Sequence, residues 1–121
     1  MVASDALSLV FAALADPTRR EILSKLAQGG PATVGEVAAP FSMSGPAISQ
    51  HLKVLERAGL VTRTAHAQWR TLSMETEPLE EASAWVEKQR REWNLRLDAL
   101  EAHLGVMKAR TNTDDIQEGG S

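Results

Sequence analysis

The segment from Ser44 to Arg57 carries side chains whose types and order suit contact with base pairs and phosphates. Short side chains near its start, such as that of Ala47, let the backbone approach the bases closely. Gln50 can donate to and accept from adenine at the same time, and Lys53 and Arg57 can donate to guanine or to phosphate. These residues predict a surface that reads double-stranded DNA.

Helical periodicity places these side chains on one face. Ile48, Leu52 and Leu55 recur at intervals of four and three residues and mark the buried side of a helix. At 100° per residue, Gln50 and Lys53 fall on the opposite side. Because every surface helix has some polar face, the DNA interpretation depends on the elements around this helix.

A shorter helix precedes the segment. Thr33 can cap it, and Glu36, three residues later, completes a capping box, while Pro40 ends the helix early. After a short turn Ser44 caps the second helix, and Gly59 supplies its C-terminal stop. Two helices in this order predict a helix-turn-helix whose second helix enters the major groove.

A β-hairpin follows the two helices. Residues 60–65 and 69–74 are short runs rich in Val, Thr and Trp, joined around 66–68. Arg63 and Arg70 lie on the two strands and are predicted to contact the DNA backbone. We therefore predict a mainly α fold with a small hairpin, a winged helix-turn-helix of about five helices.

Two helices are predicted before this motif. Residues 4–15 carry Leu7, Val10 and Phe11 on the stripe of an amphipathic helix. Asp16 caps a second helix, with proline at its first position, which ends at a pair of glycines. We expect these helices to hold the DNA-reading helix in place.

A long last helix is predicted from Pro78 to about Met107, because apolar side chains recur there by threes and fours, close to a heptad seam. Its apolar surface exceeds what a small winged domain can cover, which predicts a homodimer; the alternative is that the helix folds back across its own core. The side chains predicted at the dimer interface are Leu7, Val10, Phe11, Val86, Trp93, Leu97, Leu100 and Leu104.

Charge is unevenly distributed along the chain, whose net charge is −3. Residues 1–71 hold seven Lys or Arg against five Asp or Glu, giving +2, whereas residues 72–121 hold six against eleven, giving −5. Because DNA phosphates interact with the charges nearest to them, a basic N-terminal part is compatible with DNA binding even though the C-terminal part is acidic.

The 121 residues contain no cysteine, which excludes disulfides, thiolate catalysis and cysteine-based metal sites. Neither an N-terminal signal nor a membrane-spanning apolar run is present, so we expect a cytoplasmic protein. We assign residues 1–110 to one DNA-binding domain with N- and C-terminal dimerisation helices. Residues 111–121 lack periodicity and predict a disordered acidic tail.

Three stretches together resemble the ArsR/SmtB repressors, which are dimeric winged-helix transcription regulators. They are ALADPTRREIL at 13–23, VGEVAAPFSMSGPAISQHLKVLERAGLV at 34–61, and the hairpin that leads into the long last helix. The resemblance covers roughly residues 5–105 and is most specific over 44–61. The segment 91–104, REWNLRLDALEAHL, is similar to a metal-independent branch of the family.

The resemblance implies a repressor that binds a palindromic operator as a homodimer. It places Thr33 near the DNA backbone and assigns Arg19 and Arg20 mainly structural roles, pairing with acids and capping neighbouring carbonyls. Combined with the residues above, the predicted DNA-binding set is Thr33, Ser44, Pro46, Ala47, Ser49, Gln50, His51, Lys53, Arg57, Arg63, Gln68 and Arg70.

The sequence departs from the family at two places. Metal sensors carry cysteines in the third helix, where this chain has residues 34–36, or Asp and His pairs on the last helix, where only Asp98 and His103 occur, five residues apart. We therefore expect no metal and no cofactor. The wing tip has His66-Ala67-Gln68 where relatives often have glycine and arginine, so the depth of wing contact stays open.

The sequence offers less support for classes of function other than DNA binding. An enzyme is not expected, since GxSxG, a phosphate loop and HExxH are all absent. A winged helix that binds protein instead of DNA is the alternative. Any switch would act through an unidentified small-molecule effector, through a partner, or through the protein's own concentration.

Overall fold

The computed structural model describes residues 5–119 and is mainly helical, with one small antiparallel sheet. The elements are α1 (Ala6–Leu14), α2 (Pro17–Gly29), β1 (Ala32–Thr33), α3 (Val34–Ala38), α4 (Gly45–Arg57), β2 (Val61–His66), β3 (Trp69–Met74) and α5 (Glu77–Gly119). The strands lie in the order β1-β3-β2, and the architecture confirms the predicted winged helix-turn-helix.

Side-chain caps begin the helices where the sequence predicts them. Asp16 caps α2 by accepting from the Arg19 backbone N–H at 3.1 Å. Thr33 and Glu36 form the capping box of α3, with N···O distances of 3.2 and 3.0 Å. The Ser44 hydroxyl accepts the Ala47 N–H at 3.3 Å at the start of α4. These bonds satisfy backbone donors that a helix leaves free at its first turn.

The hairpin pairs β2 with β3 from Val61 opposite Met74 to His66 opposite Trp69. Its tip is the dipeptide 67–68, and Ala67 has a φ of 58°. The structure adds a third strand that sequence analysis does not predict, because Ala32 and Thr33 pair with β3 across from Leu72 and Thr71. Two residues are too few to show the alternation that marks a strand.

The chain divides into two compact units, Met1–Ala84 and Trp85–Ser121. The first unit holds the core, to which α1, α2, α3, α4 and the sheet each contribute one apolar side. Fully burying a leucine or isoleucine stabilises a fold by about 1.5–3 kcal/mol, so this core is the main source of rigidity. Its members are Val10, Ala13, Ile22, Leu23, Leu26, Val37, Ile48, Leu52, Leu55, Ala58, Leu60, Val61, Leu72 and Ala82.

The core corrects one predicted interface residue. Val10 is 2% exposed and packs inside its own chain, because α1 turns this side toward α2 and α4. Its side chain is therefore unavailable to a second copy. Leu7 is half-buried against the same core, and Phe11 is 37% exposed.

The second unit is the continuation of α5 from Trp85. Helical backbone continues to Gly119, where the sequence predicts a disordered tail from 111; residues 120–121 and residue 4 lie outside the described range. No proline or glycine interrupts 111–118, and a formed helix gains one hydrogen bond for each residue added. Within residues 5–119, no helix is both long and apolar enough to cross a membrane.

Candidate nucleic-acid interface

Helix α4 has one buried side and one exposed side. Ile48, Leu52 and Leu55 are at most 1% exposed, and this packing fixes the rotation of the helix about its axis. The exposed side includes Gln50 and Lys53, and it extends to the polar and basic residues Ser49 and Arg57. Among the described side chains, those of residues 5–65 and 67–110, no hydrogen bond or ion pair engages Gln50, Lys53 or Arg57. Their donors are therefore available to an external partner.

The first turn of α4 combines small side chains with the positive end of the helix dipole. A Cβ at Gly45 would meet nothing within 4 Å, so the space beside this turn is open. Pro46 is exposed and Ala47 is half-buried. The Ser44 hydroxyl, which is predicted to contact DNA, already accepts from the Ala47 backbone N–H. Ser44 nevertheless remains exposed. This turn would therefore let the backbone of α4 come close to DNA, but it supplies few side-chain donors.

Thr33, which is predicted to lie near the DNA backbone, has the Glu36 carboxylate of the predicted capping box beside it. Its hydroxyl accepts from the Glu36 N–H, and its own N–H donates to the Glu36 carboxylate at 3.0 Å. These bonds to Thr33 lower the pKa of Glu36, so the carboxylate stays charged at neutral pH. A negative charge beside Thr33 disfavours a phosphate at that point.

Arg63 on the wing is engaged within the chain. Its guanidinium donates to both carboxylate oxygens of Glu56, with N···O distances of 3.0 and 3.2 Å. The hydrogen bond to Glu56 raises the pKa of Arg63, and the pair is neutral as a unit. The predicted phosphate contact at Arg63 therefore competes with an ion pair that the sequence analysis missed. No helical or strand spacing links Glu56 with Arg63, so periodicity gives no signal for it.

The other two predicted wing residues are accessible. Arg70 lies two residues from the buried Leu72 on β3, so its side chain leaves the same face of the sheet. Arg70 and Gln68 are both exposed, and in the described part of the chain neither side chain has a hydrogen-bonding partner. Arg70 is thus the wing cation best placed to reach a phosphate.

His51, also a predicted DNA contact, turns toward α2. Its Nδ1 lies 3.3 Å from Arg19 Nη1 and 3.7 Å from Asp16 Oδ2, and its side chain is 20% exposed. The structure thus separates His51 from the accessible donors on α4. Its contacts are internal.

Arg19 and Arg20 cap the end of α1. Arg19 donates to the carbonyls of Ala12 and Ala13, and Arg20 donates to that of Leu14 at 2.8 Å. These contacts agree with the predicted capping of neighbouring carbonyls. The predicted pairing with acids is not seen, since neither arginine forms an ion pair in the described part of the chain.

Known proteins share this arrangement. A family model described as a helix-turn-helix domain matches residues 14–64. The transcriptional repressor SdpR of Bacillus subtilis (strain 168) is 39% identical over 77 residues, which are 64% of this chain and 84% of the relative. A crystal structure of an ArsR family transcriptional regulator matches with a TM-score of 0.69 and 40% identity, covering 74% of this chain and 91% of that one. The chain belongs to the ArsR family.

A second ArsR structure gives the same result. An ArsR-like transcriptional regulator from Rhodococcus sp. RHA1 matches with a TM-score of 0.71 and 32% identity over 78% of this chain and 89% of that chain. These likenesses confirm the resemblance found in the sequence. Among the side chains that the structure describes, those of residues 5–65 and 67–110, no three His, Asp or Glu are grouped to hold a metal ion.

Proposed function

We propose that this ArsR protein is a transcriptional repressor that binds an inverted-repeat operator as a homodimer. The observation that carries the proposal is the exposed face of α4. Gln50, Lys53 and Arg57 project from a helix whose other side is locked into the core, and none has an intramolecular partner among the side chains that the structure describes. A rigid helix with unused donors is what major-groove readout requires.

The donors on this face divide into two roles. Gln50 is the candidate for base readout, because its amide can donate to and accept from adenine. Lys53, Arg57 and Arg70 are exposed cations suited to phosphates. Because Arg63 is neutralised by Glu56, we assign it no phosphate. Each phosphate neutralised adds about 0.9 to the dependence of log affinity on log salt concentration.

Homodimerisation is inferred from the exposed apolar seam of α5. Trp93, Leu97, Leu100 and Leu104 recur at helical spacing and are 37–58% exposed. A continuous apolar stripe of this kind is costly in water and is normally covered by a partner. Two copies joined through this seam would present two α4 helices, roughly 34–36 Å apart for half-sites in successive major grooves.

Repression follows from occupancy of a promoter, and the relative SdpR carries the name of a transcriptional repressor. The alternative, a winged helix that binds protein rather than DNA, uses the same exposed face. The two differ in their response to salt, because counterion release weakens DNA binding steeply as salt rises.

The test begins with selection of bound duplexes from fragmented genomic DNA. The selected duplex and a scrambled duplex of equal length are then titrated by fluorescence anisotropy between 50 and 200 mM salt. The proposal expects inverted-repeat symmetry in the selected sites and an affinity ratio of about 10³ or more over the scrambled duplex. Equal affinity for both duplexes at every salt concentration would contradict the proposal and favour the protein-binding alternative.

A further inference from the structure

We propose that Arg19 is a positioning residue that fixes the DNA-reading helix α4 against the end of α1, through His51. The inference rests on the proposed function, since it concerns the orientation of the face that reads DNA. It assigns Arg19 no contact with DNA. It also reassigns His51 from the predicted DNA-binding set to the scaffold.

The guanidinium of Arg19 makes three contacts on two different helices. Nε donates to the Ala13 carbonyl at 2.7 Å, and Nη2 donates to the Ala12 carbonyl at 2.8 Å, both at the C-terminal end of α1. Nη1 lies 3.3 Å from Nδ1 of His51 on α4. Because the guanidinium is planar and its donors have a fixed geometry, contacts made together set the relative position of the two helices.

Arg19 is itself held by the start of α2. Its backbone N–H donates to Asp16 Oδ2 at 3.1 Å, and the same carboxylate oxygen lies 3.7 Å from His51 Nδ1. His51 accepts from Arg19 only when Nδ1 carries no proton, which specifies the tautomer protonated at Nε2. The Asp16 carboxylate that caps α2, the Arg19 guanidinium and the His51 ring on α4 therefore form one connected group.

The position of His51 explains why this contact matters for reading. It is adjacent to Gln50 on α4, about 100° around the helix, so a change in the tilt or rotation of α4 at His51 also moves Gln50. The other end of the connection is α1, whose Phe11 is 37% exposed and is predicted at the dimer interface. Arg19 thus joins the proposed dimer surface to the proposed reading face.

Removing the contact of Arg19 with His51 should lower the sequence specificity of DNA binding and leave the general affinity for DNA unchanged. Two reading helices must engage together, and their joint affinity depends on their mutual orientation. Without the Arg19 contact, α4 loses this polar link to α1 and is held by its apolar side and by the pair of Glu56 with Arg63. Coupling between separate sites typically changes affinity 5–150-fold, and we expect the lower part of that range for the selected duplex.

The experiment compares Arg19→Ala and His51→Ala with the wild-type full chain, using the selected and scrambled duplexes described above. Both variants should lose about tenfold in affinity for the selected duplex, keep their affinity for the scrambled one, and keep the wild-type salt slope. His51→Asn should restore binding to within about threefold, because its Oδ1 takes the place of Nδ1 and can accept from Arg19. Arg20→Ala is the matched control, since Arg20 caps Leu14 without touching α4.

Three results would overturn the inference. One is wild-type affinity for the selected duplex in both alanine variants. Another is a salt slope lowered by about 0.9 for each subunit in Arg19→Ala, which would show a phosphate contact. The third is an equal loss of affinity for the selected duplex in Arg20→Ala, which would show a general effect of capping α1.

If Arg19→Ala does not fold, the two His51 variants decide the question. A wild-type chain without preference for any duplex refutes the proposed function instead, so the two failures are distinguishable.

Discussion

Arg63 at the base of the wing and Glu56 near the end of α4 form a two-pronged ion pair, with N···O distances of 3.0 and 3.2 Å. The pair joins the wing to the DNA-reading helix and removes one cation from those predicted to meet phosphate. The side chains of Arg63 and Glu56 are 33% and 27% exposed, so solvent screening limits the pair to at most about 1 kcal/mol of stability. Its larger effect is on which wing residue is free to contact DNA.

This pair gives the first prediction. Arg63→Ala should leave the salt slope of DNA binding unchanged, because Arg63 is assigned no phosphate. Glu56→Ala should raise the slope by up to about 0.9 for each subunit and strengthen binding at low salt, because it frees Arg63. Anisotropy titrations at several salt concentrations measure both slopes. A slope that drops in Arg63→Ala would mean that Arg63 leaves Glu56 for the DNA.

Gln50 is expected to read a base. Gln50→Ala should cost on the order of 1–3 kcal/mol on the selected duplex and have little effect on the scrambled duplex. Gln28→Ala is the matched control, because Gln28 is an exposed glutamine on α2, away from the reading face. The measurement is the ratio of the two affinities. Equal losses on both duplexes would remove Gln50 from base readout.

The seam of α5 offers a test of dimerisation with an internal control. Replacing both Leu97 and Leu100 by glutamate should give monomers, because the seam would then carry four negative charges in a dimer. Leu95 is more exposed, at 69%, but lies about 160–180° around the helix from the seam, so Leu95→Glu should leave the dimer intact. Sedimentation velocity distinguishes the two masses. Dimers in the double variant would locate the interface elsewhere.

Acid should weaken the cap of α2. The Arg19 backbone N–H bonded to Asp16 lowers the pKa of that carboxyl below its ordinary value, and the positive charge of Arg19 adds to this effect. Because the pKa is lower in the folded state, the stabilisation is present above pH of about 4 and is lost as the pH falls through the folded value. Asp16→Asn keeps an acceptor oxygen but cannot titrate.

Urea unfolding of wild type and Asp16→Asn from pH 7 to pH 3 measures this effect. The wild type should be the more stable near neutral pH, and its advantage should shrink below a pH of about 4. Parallel stability curves over the whole range would show that the Asp16 charge contributes nothing to the fold.

Local signals account for most of the fold. Thr33 with Glu36, Ser44 and Asp16 are caps within three residues of the bonds they make, so the sequence alone located the starts of α2, α3 and α4. Apolar periodicity likewise identified Ile48 and its neighbours as the buried side of α4. Such features depend on spacing within one element, and spacing is visible in a sequence.

Contacts between elements, in contrast, are not visible in the sequence. The bond between Glu56 and Arg63, the approach of His51 to Arg19, and the burial of Val10 all depend on how separate elements pack. A helical stripe shows that one side of α1 is apolar, but it does not show whether its own core or a second copy covers each residue. The exposure of Gln50, by contrast, followed directly from its position opposite the core.

Hydroxyl-radical and methylation footprints of the selected duplex show whether two α4 helices read a symmetric site. We expect two protected major-groove patches on one side of the duplex, separated by about 10–10.5 base pairs, with protection lost in the Leu97 and Leu100 glutamate variant. A single patch, or protection that spreads evenly along any sequence, would rule out paired reading by two α4 helices.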